Sequence, residues 1–327
     1  ATPSLANSFA TEIYTGNGGT QAITGTGFKP DFVWIKKRSG AQVHNLYDSV
    51  RGINKVLYSD LTNAQATVTS ISSFDTNGFT LANGGGDTNA SGSTYVSWNW
   101  KAGGTPSINT DGTTTSIVSA NQAAGFSVVK YTGNGTTGAT FGHGLESKPD
   151  LVFFKNIDQS GNYNWSVYSN TSVTGATGLL YLNLTNGFTT TSSRFNNTEP
   201  TSSVITLGND ATINGNGDNQ IAYCFASISG YSKVGTYSGT ASANSITTGF
   251  EPGFIMIKRT DTTGTWVIMD SARGMGSNAY ALFPNTTASE SNGWNTAFTA
   301  TGFTISSAEA WINASGGTYI YLAIKEN

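Results

Sequence analysis

Charged residues are scarce in this sequence, and their scarcity already excludes several classes of protein. Asp, Glu, Lys and Arg make up 11% of the 327 residues, and the net charge is -3. With a pI near 5.3 the chain has no basic face for phosphates, so we expect no nucleic-acid partner. The lone Cys224 excludes a disulfide scaffold, and the few Glu, Lys and Leu residues exclude a coiled coil.

Long apolar runs are also missing. No run approaches the roughly 18 residues of a membrane span, and residues 1–4 lack signal-peptide character. We therefore expect a soluble chain without a membrane partner. What is abundant is Gly, with 40 residues, together with aromatics at 12% and many Thr and Asn residues. Thr and aromatics suit strands, while Asn and Gly suit turns, so the composition predicts an all-β fold.

Three landmarks recur along the chain at similar spacings. The first is Tyr-Thr-Gly-Asn-Gly at 14–18 and 131–135, and more weakly Tyr-Ser-Gly at 237–239. The second is a proline before a short apolar run, and the third is a closing strand. The second landmark begins at Pro30, Pro149 and Pro252. The third begins at Tyr95, Ile221 and Tyr319. The closing strand follows its proline by about 65 to 72 residues each time, which indicates internal repeats.

The repeats predict three tandem, related β-sandwich domains of jelly-roll-like type. The first covers residues 1–103, the divergent second covers 126–230, and the third covers 231–327. The Gly-, Thr- and Ser-rich stretch 104–125 has almost no large apolar residue, so we interpret it as a linker or an assembly arm. Aligning the closing strands places Trp98 opposite Cys224 and Leu322, which indicates core positions.

An Asp-Ser-x-Arg-Gly motif occurs in the first and third copies, at Asp48 with Arg51 and at Asp270 with Arg273. The second copy has neither the Asp nor the Arg. The arginines could hold a carboxylate or sulfate ligand. In a chain so poor in charge we favour the alternative, an Asp–Arg pair that braces a loop over the sandwich edge.

Catalytic and metal-binding patterns are weak. The two histidines, His44 and His143, lie at non-equivalent places in the repeats and are expected to be surface or turn residues. Glu146 and Glu251 stand just before a proline landmark and are interpreted as turn residues rather than a glycosidase pair. Asp75 and Asp87 begin fragments of a Ca²⁺ loop that lacks its downstream Glu. We expect no enzyme and no cofactor, with Ca²⁺ as an unsupported alternative.

Aromatic side chains are the remaining candidates for binding. An exposed Trp beside Asn or Asp can bind a sugar, because the C–H face of the sugar packs on the indole ring. Trp34 aligns with Phe153 and Met256, so it is expected in the core. Three tryptophans lack apolar counterparts in the other copies and are the speculative ligand-binding residues: Trp100, Trp294 and Trp311.

Taken together, these motifs resemble a repeated β-domain, without assigned function, of marine tailed-phage (cyanophage-like) virion proteins. The residues that carry the resemblance are densest in the first copy, over about 9–104: Tyr14-Thr15-Gly16-Asn17-Gly18, Gly27-Phe28-Lys29-Pro30-Asp31, Asp48-Ser49-Val50-Arg51-Gly52, Ser73-Phe74-Asp75, Gly78-Phe79-Thr80 and Tyr95-Val96-Ser97-Trp98. The resemblance implies a fibre, appendage or capsid-decoration module. It supplies no catalytic or ligand residues.

The functional expectation is therefore a non-enzymatic structural protein of a tailed-phage virion, on its exterior surface or tail, that assembles in the host cytoplasm. Its partners would be other copies of itself, as a homo-oligomer, and other virion proteins. The unpaired Cys224 fits assembly in a reducing compartment. Two alternatives stay open: a module that binds host-surface glycan, and a polysaccharide depolymerase built on the same scaffold.

Overall fold

The structure, a computed structural model, describes residues 7–82 and 85–326. These residues form 26 strands and two four-residue helices, so the predicted all-β fold is confirmed. Residues 1–6 and 327, at the ends of the predicted segments 1–103 and 231–327, lie outside the described residues. So do residues 83 and 84. The strands group into three units of related topology, which we call the first, second and third units.

The first unit has a main sheet in the order β1-β9-β3-β4, a small sheet β2-β8-β7 and a pair β5-β6. Every contact between neighbouring strands is antiparallel. The strands are β1 (Phe9–Thr15), β2 (Gln21–Thr24), β3 (Phe32–Lys37), β4 (Asn45–Asp48), β5 (Lys55–Val56), β6 (Ala66–Thr67), β7 (Ile71–Asp75), β8 (Gly78–Leu81) and β9 (Thr94–Trp100).

The second unit extends the same pattern into an eight-stranded sheet in the order β10-β11-β12-β19-β14-β15-β16-β17, with a small sheet β13-β18. Its elements are β10 (Ser107–Asn109), β11 (Ser116–Asn121), β12 (Phe126–Thr132), β13 (Thr140–Gly142), β14 (Leu151–Asn156), β15 (Ser166–Ser169), β16 (Gly178–Tyr181), β17 (Thr189–Thr190), β18 (Val204–Thr206), α1 (Ala211–Asn214) and β19 (Asn219–Phe225).

The third unit returns to the simpler arrangement, with a main sheet β20-β26-β22-β23 and a small sheet β21-β25-β24. Its elements are β20 (Ser232–Ser238), β21 (Asn244–Thr247), β22 (Phe254–Arg259), β23 (Trp266–Asp270), β24 (Thr296–Thr299), β25 (Gly302–Ile305), α2 (Ala310–Asn313) and β26 (Thr318–Ile324).

The strand after each proline landmark lies inside its main sheet and is buried on both faces. In β3, Phe32 and Trp34 belong to one apolar core, while Val33 and Ile35 belong to another. Strands β14 and β22 alternate in the same way. Because side chains alternate across a strand, one face of each main sheet packs inside its own unit and the other faces a core shared by all three units.

The shared core joins the units into one body. It contains large side chains from every unit, among them Trp34, Trp100, Phe153, Tyr223 and Phe254. Phe32 stacks on Tyr223 with ring centroids 4.3 Å apart, and Trp100 meets Phe254 edge-on at 5.9 Å. The three units therefore hide a common apolar face. The division into three tandem domains stays a prediction.

Strand register corrects one alignment made from the sequence. Trp34 lies opposite Trp98, Phe153 opposite Tyr223, and Met256 opposite Leu322. Tyr223, not Cys224, is therefore the counterpart of Trp98. The one-residue error matters because neighbouring residues on a strand face opposite sides. Cys224 lies in the core of the second unit, whereas Tyr223 lies in the shared core.

The stretch 104–125 was wrongly predicted to be a linker or assembly arm. It carries β10 and β11, and β11 pairs along its whole length with β12. The stretch has a low apolar content because it forms the two outermost strands on one side of the sheet. Ile108 and Ile117 lie opposite each other on these strands and are both exposed.

Candidate functional site

A closed ring of backbone hydrogen bonds joins the three units. In each unit the carbonyl directly after the central strand (β3, β14 or β22) accepts a hydrogen bond from the amide of a neighbouring unit. The three bonds are Gln65 N to Ile157 O at 2.9 Å, Phe188 N to Thr260 O at 2.8 Å, and Glu290 N to Arg38 O at 3.1 Å. Since the third unit returns to the first, the arrangement has approximate threefold symmetry within a single chain.

A second ring uses side chains at the start of β4, β15 and β23. Each donates a ring N–H to a backbone carbonyl of the preceding unit. The bonds are His44 Nε2 to Phe283 O at 3.0 Å, Trp165 Nε1 to Tyr58 O at 2.9 Å, and Trp266 Nε1 to Tyr181 O at 2.7 Å. His44 thus occupies the place that tryptophan fills in the other two units.

Neither histidine lies at the surface, one of the two places expected from the sequence, since both are fully buried. The indole of Trp34 donates to His44 Nδ1 at 2.9 Å, so the ring proton of neutral His44 sits on Nε2 and points at Phe283. Burial lowers the pKa of His44 well below its usual value and lowers that of His143 to about 4. Both rings are therefore neutral near pH 7.

The Asp48–Arg51 pair lies inside the molecule, at the contact between the first and second units. Asp48 Oδ2 accepts from Arg51 Nε at 2.5 Å and from the hydroxyl of Tyr223 at 2.7 Å. Both charged side chains are almost completely buried. The guanidinium also donates to the Leu46 carbonyl at 3.0 Å. The pair therefore braces a contact between units rather than a loop at an exposed sandwich edge.

The Asp270–Arg273 pair is built in the same way at the contact between the third and first units. Asp270 Oδ2 accepts from Arg273 Nε at 2.6 Å and from the indole of Trp98 at 2.9 Å. The guanidinium carbon lies 5.5 Å from the centroid of the Trp98 ring. A second ion pair, Arg273 with Glu290 at 3.3 Å, adds a further charge at this contact.

The equivalent contact between the second and third units has neither the Asp nor the aromatic donor. Register places Ser169 where Asp48 and Asp270 stand, and Leu322 where Trp98 and Tyr223 stand. The Ser169 hydroxyl is buried without a hydrogen-bond partner among the described residues. Loss of the acceptor in the second unit therefore coincides with loss of the aromatic donor in the third, as expected if the motif acts only between units.

Three buried lysines occupy equivalent positions on the central strands. Lys36 Nζ donates to Lys37 O at 2.9 Å, Lys155 Nζ to Asn156 O at 2.8 Å, and Lys258 Nζ to Gly264 O at 2.7 Å. Burial lowers the pKa of Lys36 and Lys155 to about 8 and that of Lys258 to about 7. Lys258 also donates to Thr185 O of the second unit at 3.0 Å.

The three candidate tryptophans have different surroundings. Trp100 is 3% exposed in the shared core and Trp294 is 6% exposed, so the expectation that they face solvent was wrong. Trp311, on α2, is 41% exposed and fits the expectation. It stacks on Trp294 with ring centroids 5.8 Å apart and planes at 27°, while Phe283 meets it edge-on. We call Trp311, Trp294 and Phe283 the aromatic platform.

Two surface depressions each contain a pair of carboxylates. One is lined by Asp111 and Glu146, the other by Glu251 and Glu326. Burial raises the pKa of Glu326 to about 7. Its two oxygens accept from the Thr11 amide of the first unit and from Ser271 Oγ of the third unit, the latter at 3.2 Å. Glu326 thus joins two units, and sequence reasoning missed it because its partners are distant in the chain.

Across residues 7–82 and 85–326, no three His, Cys, Asp or Glu side chains lie together as a metal site would require. Asp75 accepts a hydrogen bond from Thr80 Oγ1 at 2.7 Å across the β7–β8 hairpin. In that same part of the chain, no helix has the length and apolarity needed to cross a membrane.

These features define an all-β protein in which three sandwich-like units close around one aromatic core. Residues 4–327 match the model of a family described as "Domain of unknown function (DUF7483)", and the chain belongs to that family. No curated protein matches the sequence.

Proposed function

We propose that the protein is a non-enzymatic structural component of a tailed-phage virion that works through protein–protein assembly. The observation that supports the proposal is the position of the recurring polar motifs in the fold. The Asp–Arg pairs and the aromatic donors are buried at contacts between units. They build a rigid body rather than a cleft for chemistry. The motif resemblance supplies the virion context.

The approximate threefold symmetry supports an assembly role. One chain presents three related outer surfaces around a common axis, as a ring of three identical subunits would. Such a body suits contacts with several equivalent neighbours on a particle. Individually weak contacts then add through multivalency.

Particle purification tests this proposal. Tailed-phage particles from a host culture that expresses the gene are banded in a density gradient, and the protein is quantified there by mass spectrometry. We expect it to band with the particles at a fixed ratio to the major capsid protein, and to stay with them after washing in high salt. Abundant protein in infected cells together with its absence from the banded particles would contradict the proposal.

A second candidate function is glycan binding on the aromatic platform. The observation that favours it is the exposed face of Trp311, held flat by its stack on buried Trp294. Aromatic rings offer an apolar face to sugar C–H groups. Binding to a glycan array should be lost in Trp311→Ala and kept in Ile13→Ala, which truncates an exposed apolar residue elsewhere. Equal binding by both variants would reject the platform.

A further inference from the structure

The clearest departure from threefold symmetry is the pair β10 and β11. In the first and third units the strands equivalent to β12 are β1 and β20, and each is an edge strand of its main sheet. Only in the second unit is this edge extended by further strands within the described residues. The first and third units close their side of the shared core without such an extension.

The extension creates a long trough. Three depressions of about 660, 280 and 270 Å³ adjoin one another around Gln122. Gly103 and Ala120 line the first two, Asn109 and Gly144 line the last two, and Gln122 lines all three. The largest depression has the volume of a typical small-molecule site. We call the whole surface the β10–β11 trough.

The close approach of the walls depends on small residues. A Cβ atom on Gly103 would lie 2.5 Å from the Ala120 carbonyl oxygen, and one on Gly144 would lie 2.8 Å from a methyl carbon of Val118. Gly144 also has a φ of +73°, which most side chains disfavour. These two glycines therefore let the loops that line the depressions lie directly against β11.

The lining suits a saccharide. Amide and hydroxyl side chains, including Asn121, Gln122 and Ser107, can exchange hydrogen bonds with sugar hydroxyls. Ile108 lines the middle depression and is 75% exposed, the highest exposure among the large apolar side chains described. It offers an apolar surface against which a sugar C–H face can pack.

The first depression carries positive charge. Lys29 and Lys101 both line it and are exposed, and neither ammonium group makes a hydrogen bond or an ion pair within the described residues. Asp31 is the carboxylate in the same depression. It is buried, and it accepts from the Ala102 amide at 2.8 Å and from Ser49 Oγ at 2.9 Å. Lys29 interacts electrostatically with Asp31, so the depression holds two cations against one carboxylate. This excess of positive charge, in a chain of net charge -3, favours an anion.

We propose that the β10–β11 trough binds an extended oligosaccharide whose carboxylate or sulfate group sits between Lys29 and Lys101. The third depression is lined by Asp111 and Glu146, which would repel a second acidic group. The trough therefore selects a saccharide with its acidic group at one end over a uniformly acidic polymer.

A glycan array with terminal carboxylate- or sulfate-bearing oligosaccharides, their neutral counterparts and uniformly acidic polymers tests this proposal. We expect the strongest binding to the terminally acidic members. By calorimetric titration the affinity for the best of them should fall at least about tenfold in Lys29→Met and in Lys101→Met. It should also fall with added salt, since the contact is between exposed charges.

Lys325→Met removes an exposed lysine outside the trough and serves as the matched control. Ile108→Ser should weaken binding of acidic and neutral oligosaccharides by the same factor, because it removes only apolar contact. Absence of any acidic hit on the array, or equal loss of affinity in Lys325→Met, would overturn the proposal. Tighter binding of an oligo-glutamate peptide than of any saccharide would overturn the ligand class.

Discussion

At the scale of residues, the recurring polar side chains form hydrogen bonds and ion pairs in the interior. Asp48 and Asp270 each accept from their own Arg and from an aromatic donor of another unit. The motif was recognisable from sequence because Asp and Arg are three residues apart. Its aromatic partners were not, since Tyr223 and Trp98 lie 175 and 172 positions away from their acceptors. Bracing could be predicted, but its location between units could not.

Removing one member of a buried pair should be costly. In Arg273→Met, the buried carboxyl group of Asp270 loses its main partner. We expect the free energy of unfolding to fall by about 3–5 kcal/mol, measured by chemical denaturation. Lys148→Met is the control, because its pair with Glu199 is partly exposed, and should cost about 0–1 kcal/mol. Equal costs for the two variants would refute the interior bracing.

The buried lysines predict how stability depends on pH. The pKa of Lys258 in the folded protein is about 7, against a usual value of 10.5, because burial disfavours the charged form. Between these values the unfolded chain binds more protons, so the free energy of unfolding should rise with pH from about 7 to 10. The gain in the free energy of unfolding is complete above the pKa of Lys258 in the unfolded chain. It is lost as pH falls through the pKa of Lys258 in the folded protein.

The variant Lys258→Met isolates this effect. It should flatten the rise by up to about 1.4 kcal/mol per pH unit, whatever its effect on overall stability. Urea titrations from pH 7 to 10 measure the slope, with Lys325→Met as an exposed control. An unchanged slope in Lys258→Met would show that this lysine keeps its charge in the folded protein.

At the scale of elements, strands were easiest to predict where both faces are buried. The apolar runs after Pro30, Pro149 and Pro252 are indeed central strands. Strand β10 escaped prediction because an edge strand with exposed side chains resembles a polar loop in composition. Strand β11 escaped because four of its six residues are Ser, Ala or Asn. Trp100 was misplaced for a related reason. Its neighbours are polar in sequence, but its ring enters the core shared by all three units.

The small sheets depend on close backbone contact at glycine. A Cβ on Gly78 would lie 1.9 Å from the Ile23 carbonyl oxygen, and its φ is +139°. Gly78→Ala should therefore separate β2 from β8 and lower the midpoint of thermal unfolding. Gly92→Ala is the matched control, with φ +76° but no atom within 4 Å of the added methyl group, so it tests backbone strain alone.

The prediction concerns the difference in stability between Gly78→Ala and Gly92→Ala. Gly78→Ala should cost at least about 2 kcal/mol more than Gly92→Ala, since a clash with backbone cannot be relieved by moving a side chain. Circular dichroism melts of both variants provide the measurement. Similar losses in the two variants would mean that β2 and β8 do not approach as closely as described.

At the scale of the whole molecule, the three repeats were visible in the sequence, but their closure was not. Recurring landmarks such as Pro30 and Tyr14 reveal related strands without revealing which faces meet. Closure depends on bonds such as Gln65 N to Ile157 O, made by backbone atoms that leave no trace in composition. The shared core explains why both faces of each central strand are apolar, a pattern that an isolated sandwich does not require.

The most direct test of the closed body is differential scanning calorimetry of the full chain. Because the three units share one core and close through rings of hydrogen bonds, we predict a single unfolding transition with equal calorimetric and van't Hoff enthalpies. Two or three separable transitions, each with the heat of a domain of about 100 residues, would contradict the account and show instead independent domains in series.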